Sequence, residues 1–104
     1  MIPTSGLHSL HGFVVAKTDG HPITEGRVRL LDPDDKSILR DSSIQPDGTF
    51  FFNYVLQGSY LLEIEEAVDT QNDKTITSYE SLTTPLLIEH DITDLSYSLV
   101  PEKK

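Results

Sequence analysis

Cysteine and tryptophan are both missing from this 104-residue chain, and methionine occurs once. Without cysteine there is no disulfide framework and no thiolate chemistry. The redox compartment stays open, because an oxidising compartment permits disulfides without requiring them. Basic residues are few, 8 against 17 acidic ones, for a net charge of −9. That balance disfavours electrostatic binding to nucleic acid or to anionic membranes, and it favours solubility and, weakly, cation binding. No apolar run approaches the roughly 20 residues that a membrane span needs. The opening stretch, MIPTSGLHSLHG, has neither the basic nor the long apolar region of a signal peptide. Two expectations follow from that start: a cytoplasmic protein, or a domain of a longer one carrying an added Met1.

What the chain does have is strand patterning. Its length suits one domain with a modest core. Residues 12–17, GFVVAK, are β-branched and aromatic, and TDGHP at 18–22 breaks the run. In 26–31, Val28 and Leu30 point one way and Arg27 and Arg29 the other, the two-residue period of a half-buried strand. DPDDK at 32–36 and QPDG at 45–48 are turns, with 37–41 a short strand between them. Three consecutive phenylalanines follow. Phe50 and Phe52 share one face; Phe51 and Asn53 share the other. After Leu56-Gln57-Gly58 turns the chain, Tyr60, Leu62 and Ile64 fall on one face. Residues 66–76 are polar and without period, which predicts a long loop. Residues 77–90 form a weaker strand interrupted by Pro85, as suits a sheet edge. Finally 92–100 places Leu95, Tyr97 and Leu99 together. No helix, internal repeat or low-complexity segment is apparent. About seven short strands at regular spacing predict an all-β sandwich.

The order of these residues resembles a known family. Gly12-x-Val14, Asp19-Gly20-x-Pro22-Ile23 and Gly26-x-Val28-x-Leu30 resemble the first half of the carboxypeptidase regulatory-like domain. Asp47-Gly48-x-Phe50-x-Phe52-x-x-Val55-x-x-Gly58-x-Tyr60-x-Leu62-x-Ile64 resembles its second half, and DITDLSYSLVP its last strand. Each glycine falls at a turn and each apolar residue at an inward position. Glu25 stands where the family often has a second glycine, and Gln57 replaces the usual proline before Gly58. The resemblance implies a seven-stranded Greek-key sandwich of the transthyretin-like (prealbumin-like) kind. Its expected limits are 11–101, with a flexible arm over 1–10 and a solvated tail over 102–104. It also implies a non-catalytic accessory module of a larger secreted or cell-envelope protein, meeting other domains or partners.

A zinc site needs three or four convergent ligands. His8 and His11 precede the first expected strand, His21 and His90 lie far apart, and no His-x-x-Glu occurs; exposed turn and terminus positions account for all four. Asp32, Asp34 and Asp35 are weak calcium candidates, because calcium favours several oxygens on one loop. They lack the glycine and distal glutamate of the twelve-residue calcium loop, and Asp is an ordinary turn former. Ser37, Ser42, Ser43, Ser96 and Ser98 sit in no Gly-x-Ser-x-Gly elbow. Hydroxyisourate hydrolases of the transthyretin-like fold end in Tyr-Arg-Gly-Ser, whereas this chain ends in Val-Pro-Glu-Lys-Lys. The iron ligand cluster of the intradiol dioxygenases is also absent. Related adhesin repeats join a first-strand lysine to a last-strand asparagine. Lys17 fits the lysine, but Ile64 stands at the acid position and 92–100 holds no asparagine.

The aromatic patch reads mostly as core, since burying a phenylalanine is worth ~1.5–3 kcal/mol. Phe51, Tyr54 and Tyr79 remain as outward candidates for a ligand or partner surface. The sequence therefore predicts no enzyme, no catalytic or cofactor-binding residue, no cofactor, no nucleic-acid partner and no membrane span. A glycan-binding module resting on those three rings is the first alternative. A small enzyme of the same fold is the second, and would need His21 or His90 beside a serine or carboxylate in a polar cleft. An unpaired edge near 77–88 could add a partner strand or a second copy.

Overall fold

The computed structural model describes residues 7–71 and 74–102. Among these residues eight strands follow one another without a helix: β1 (Leu7–Ala16), β2 (Glu25–Leu31), β3 (Ile38–Ser43), β4 (Thr49–Leu56), β5 (Gly58–Gln71), β6 (Lys74–Ser78), β7 (Leu82–Ile88) and β8 (Ile92–Leu99). They form two sheets. One has the order β4-β1-β8, antiparallel between β1 and β4 and parallel between β1 and β8. The other runs β3-β2-β5-β6, with β7 also pairing β5, antiparallel throughout.

The alternation read from the sequence sets the core between these sheets. Leu10, Val14 and Ala16 of β1, Val28 and Leu30 of β2, Phe50 and Phe52 of β4, and Leu62 and Ile64 of β5 are all buried. Leu95, Tyr97 and Leu99 close it from β8. Gly12 makes room for the largest of these groups. A Cβ there would lie 2.5 Å from Phe50 Cζ and 2.9 Å from Leu95 Cβ. The Phe50 ring stands edge-on to Phe52, with centroids 6.2 Å apart, and stacks on Tyr97 at 6.4 Å.

Three expectations are corrected. The first strand begins at Leu7, and Leu10 is fully buried, so 7–10 are sheet and not a flexible arm; residues 1–6 lie outside the described residues. The loop expected at 66–76 is the far half of β5 and the start of β6, with Gln71 in register with Lys74. That pair supplies the eighth strand, which polar side chains concealed. Its backbone pairing satisfies the amides although little apolar surface is buried. The expected tail is tied at its root, where Glu102 N–H donates to Ser78 O at 2.9 Å and Pro101 bridges Tyr79; residues 103–104 are outside the described set.

Register shifts interrupt several of the strand pairs, and two of them bear on the site. β4 has three steps from Phe52 to Val55 opposite two on β1, and Tyr54 takes a φ of 57° there. β5 likewise advances from Glu65 to Val68 while β2 advances from Arg27 to Glu25, with Glu66 at a φ of 54°. Such bulges re-aim side chains and end pairings. Past the second one β5 exchanges β7 for β6: Ile64 pairs Leu82, and Val68 pairs Ser78.

Replacing Gly12 by Ala is expected to destabilise the fold by about 1–3 kcal/mol through overpacking against Phe50. Urea unfolding should show a lower midpoint at unchanged slope, and a midpoint equal to wild type would contradict this packing.

Candidate functional site

At the end of the sandwich where β1 stops, the chain doubles back on itself. Gly20, at a φ of 81°, lets its own N–H donate to Ala16 O at 2.8 Å. Ala16 N–H then donates to His21 O at 2.9 Å, and Ile23 N–H to Val14 O at 3.0 Å. Asp19 Oδ1 accepts the His21 backbone N–H at 3.1 Å, an Asx turn of the kind short acidic side chains favour. The fully buried Ile23 anchors the loop, which leaves the His21 ring aimed across at β5.

Beyond its bulge, β5 presents Asp69 to that ring. His21 Nε2 lies 2.6 Å from Asp69 Oδ2, and its Nδ1 hydrogen-bonds Asp19 Oδ1. The Tyr79 hydroxyl donates to the same Asp69 oxygen at 2.5 Å and lies 3.2 Å from His21 Nε2. Tyr79 is held by its own N–H, which donates to Ala67 O at 2.9 Å. Beside this cluster Thr24 Oγ1 accepts the Thr70 N–H at 3.1 Å. Asp69 is mostly buried, and its Oδ1 has no partner among the described residues.

The electrostatics follow from this placement. The Asp69 hydrogen bond, then that of Asp19, raises the His21 pKa above its ordinary 6.5. Hydrogen bonds from His21 hold the Asp19 carboxyl below its usual value. Burial, reinforced by Asp69, pushes the Tyr79 hydroxyl upward. Both ring nitrogens face carboxylate oxygens, so the arrangement suits an imidazolium donating twice. Neither nitrogen has a lone pair free to take a proton from a substrate.

The residues singled out from sequence fall in different places. Tyr79 is 4% exposed. Its expected role as an outward ligand candidate is therefore corrected, because its ring joins the core and its hydroxyl serves Asp69. Phe51 and Tyr54 are exposed, at 46% and 77%. Phe51 stacks on His11, 5.8 Å between centroids, on the outer face of β1 and β4. The bulge turns Tyr54 outward. His8 and His11 lie within β1, not ahead of it; His8 Nδ1 is 3.3 Å from Asp91 Oδ1. His90 is exposed. Asp32 Oδ1 accepts the amides of Asp34 and Asp35 at 2.8 and 3.3 Å, and Asp35 Oδ1 accepts that of Ser37 at 2.9 Å. Two of the calcium candidates thus close their own turn. Among the described residues no group of three or more His, Cys, Asp or Glu side chains is arranged to hold a metal ion. Lys17 is exposed, and Ile64 is fully buried.

Sequence reading named His21 but missed Asp69, which lay in the supposed loop. A signal was present: the β-branched Val68 and Thr70 on one side and Thr75, Ile76 and Thr77 on the other flank Asn72-Asp73, a hairpin pattern.

No family model and no curated protein matches the chain. Solved structures do. The major pilin subunit of Bacillus cereus aligns at a TM-score of 0.73 with 17% identity, over 94% of this chain and 30% of that one. A candidate carbohydrate-binding protein of Pseudomonas aeruginosa aligns at 0.55 with 17% identity, over 90% of each. An (S)-allantoin synthase aligns at 0.56 with 14% identity, over 100% of this chain and 46% of that one. The chain thus spans less than a third of the pilin subunit. At these identities the likeness is one of fold, an all-β two-sheet sandwich.

Replacing Tyr79 by Phe keeps the ring and removes only the donor to Asp69. A hydrogen bond to a charged acceptor contributes about 1.5–3 kcal/mol, so urea unfolding at pH 7 should show a loss of that order. An unchanged midpoint would mean that the hydroxyl does not hold Asp69 in solution.

Proposed function

We propose that the chain is a non-catalytic accessory β-sandwich module of a larger secreted or cell-envelope protein. In this reading its fold is the transthyretin-like Greek key of the carboxypeptidase regulatory-like domain, extended by the β5–β6 hairpin. The observation that carries the proposal is the state of His21. The most elaborate polar cluster among the described residues has both imidazole nitrogens engaged by carboxylates, which suits a structural tie and not a general base. The alignment of nearly the whole chain with under a third of a pilin subunit supports a domain-sized unit within a longer chain. Leu7 and Leu56, register partners at one end of the sandwich, are both exposed and Tyr54 lies close by in sequence; a neighbouring domain would cover them. Partner pairing along the outer edge of β7 is the weaker route, since Pro85 offers no N–H to a ladder there.

An antibody blot of source-cell fractions tests the module reading. A band far above 11.6 kDa in the envelope or the medium is expected; a cytoplasmic band near that mass would overturn it.

The exposed Phe13, His11 and Phe51 on the outer face of β1 and β4 favour a second reading, a glycan-binding surface. Aromatic rings offer apolar faces with polar neighbours in reach. On this reading polysaccharide in a native gel retards the protein, and a Phe51→Ala, Tyr54→Ala double variant migrates freely. Equal mobility of the two proteins in every polysaccharide would end it.

A further inference from the structure

The Asp19–His21–Asp69–Tyr79 cluster joins two segments that share little apolar contact. One is the loop between β1 and β2. The other is the hairpin made by the end of β5 and by β6, whose side chains, where described, are mostly polar and half-buried or exposed, with Ile76 itself in solvent. Beside the cluster, Thr24 Oγ1 accepts the Thr70 N–H, and Glu25 sits in register with Val68. The hairpin is therefore fastened to the body by hydrogen bonds more than by packing, the condition under which a segment opens locally while the core stays closed.

We propose that this cluster is a proton-operated latch, closed while His21 carries both ring protons and open once it has lost one. The groups facing the ring are Asp19 from its own loop, Asp69 from β5 and Tyr79 from the segment after β6. Two carboxylates around one imidazolium leave a net charge of one negative unit, which favours retaining the proton. A neutral imidazole donates through one nitrogen only. If Nδ1 keeps its proton for Asp19, Nε2 turns a lone pair on Asp69 Oδ2 at hydrogen-bonding distance. The Tyr79 hydroxyl, 3.2 Å from Nε2, has one proton and can serve either Nε2 or Asp69. Turned toward Nε2, it leaves the mostly buried Asp69 with no donor from this cluster. An unpaired buried carboxylate is costly, so Asp69 moves to water and carries the end of the hairpin with it.

The sign follows from the direction of the shifts. His21 is raised from 6.5 by Asp69 and then Asp19. Its contribution is thus complete below that value and is lost as pH rises through the folded value. Asp19 is lowered from 3.8, so its contribution is complete above that value and is lost only as pH falls through the lowered one. The latch therefore holds below 6.5 and releases as pH rises through the raised value of His21.

Nitrogen-detected NMR of the His21 ring, with amide exchange followed residue by residue from pH 5 to 10, tests this on the intact chain. Exchange is compared with the intrinsic rate at each pH. His21 should titrate above 6.5. Across that step the protection of the amides of 68–70 and 75–79 should fall at least roughly tenfold, while that of β1 and β4 stays level. In a His21→Gln variant the hairpin should be weakly protected at every pH, with no step. An Asp69→Asn variant should return His21 toward its ordinary titration. A His21 that titrates while hairpin protection stays flat would overturn the proposal, as would an equal step in the Gln variant. Should neither variant fold, the wild-type titration decides alone.

Discussion

Everything in this sandwich is arranged around the contact of Phe50 with the bare backbone of Gly12. β1 is the centre of its sheet and pairs on both sides. A side chain at Gly12 would occupy the place of the Phe50 ring. With that ring seated, Phe52 and Tyr97 pack around it from β4 and β8, and the opposing face of Val28, Leu30, Leu62 and Ile64 completes a dry interior. No polar or charged residue is buried among those described. The core is consequently inert, and any chemistry must lie on the periphery.

The periphery is set by where strands stop obeying the alternation. At Glu66 the bulge ends the partnership of β5 with β7, and the chain continues as a polar hairpin. Only beyond that point does Asp69 come opposite the loop carrying His21. The same device at Tyr54 throws a large ring into solvent. Edges are managed as well. Arg40 reaches from β3 to the Tyr54 and Asn53 carbonyls, at 3.0 and 2.7 Å, and Ser42 to that of Phe51 at 3.0 Å. These side chains occupy acceptors that an added strand would need. The outer face of the larger sheet carries charge, with Arg29 Nη1 2.7 Å from Glu65 and 3.6 Å from Glu63. Such pairs contribute little stability at a surface, but they keep that face wet. The apolar rings that remain exposed lie on the smaller sheet.

The proposed accessory role and the proposed proton-operated tie are compatible with one construction. A module with a self-sufficient core tolerates an appendage that opens without unfolding the rest. His21 serves that appendage because one of its nitrogens meets Asp19 in its own loop and the other reaches Asp69, 48 residues further along the chain.

The sequence by itself determined the inward faces, the turns and the all-β class. A period of two is a local property of the chain, and Val28 with Leu30, or Phe50 with Phe52, must share a side whatever they meet. The glycine and proline punctuation was equally local, so seven of the eight strands were legible. The β5–β6 hairpin was marked only faintly, by the β-branched residues on either side of Asn72-Asp73, because its side chains bury little and its pairing is carried by backbone groups that every residue has. The burial of Tyr79 was not legible. Tertiary structure alone decided the His21 cluster, since a hydrogen bond between a turn and a strand depends on register and on one bulge. Tyr54 was read as outward from the sequence and is exposed, but the extra residue that turns it off the face of Phe50 and Phe52 is revealed only by pairing with the neighbouring strand.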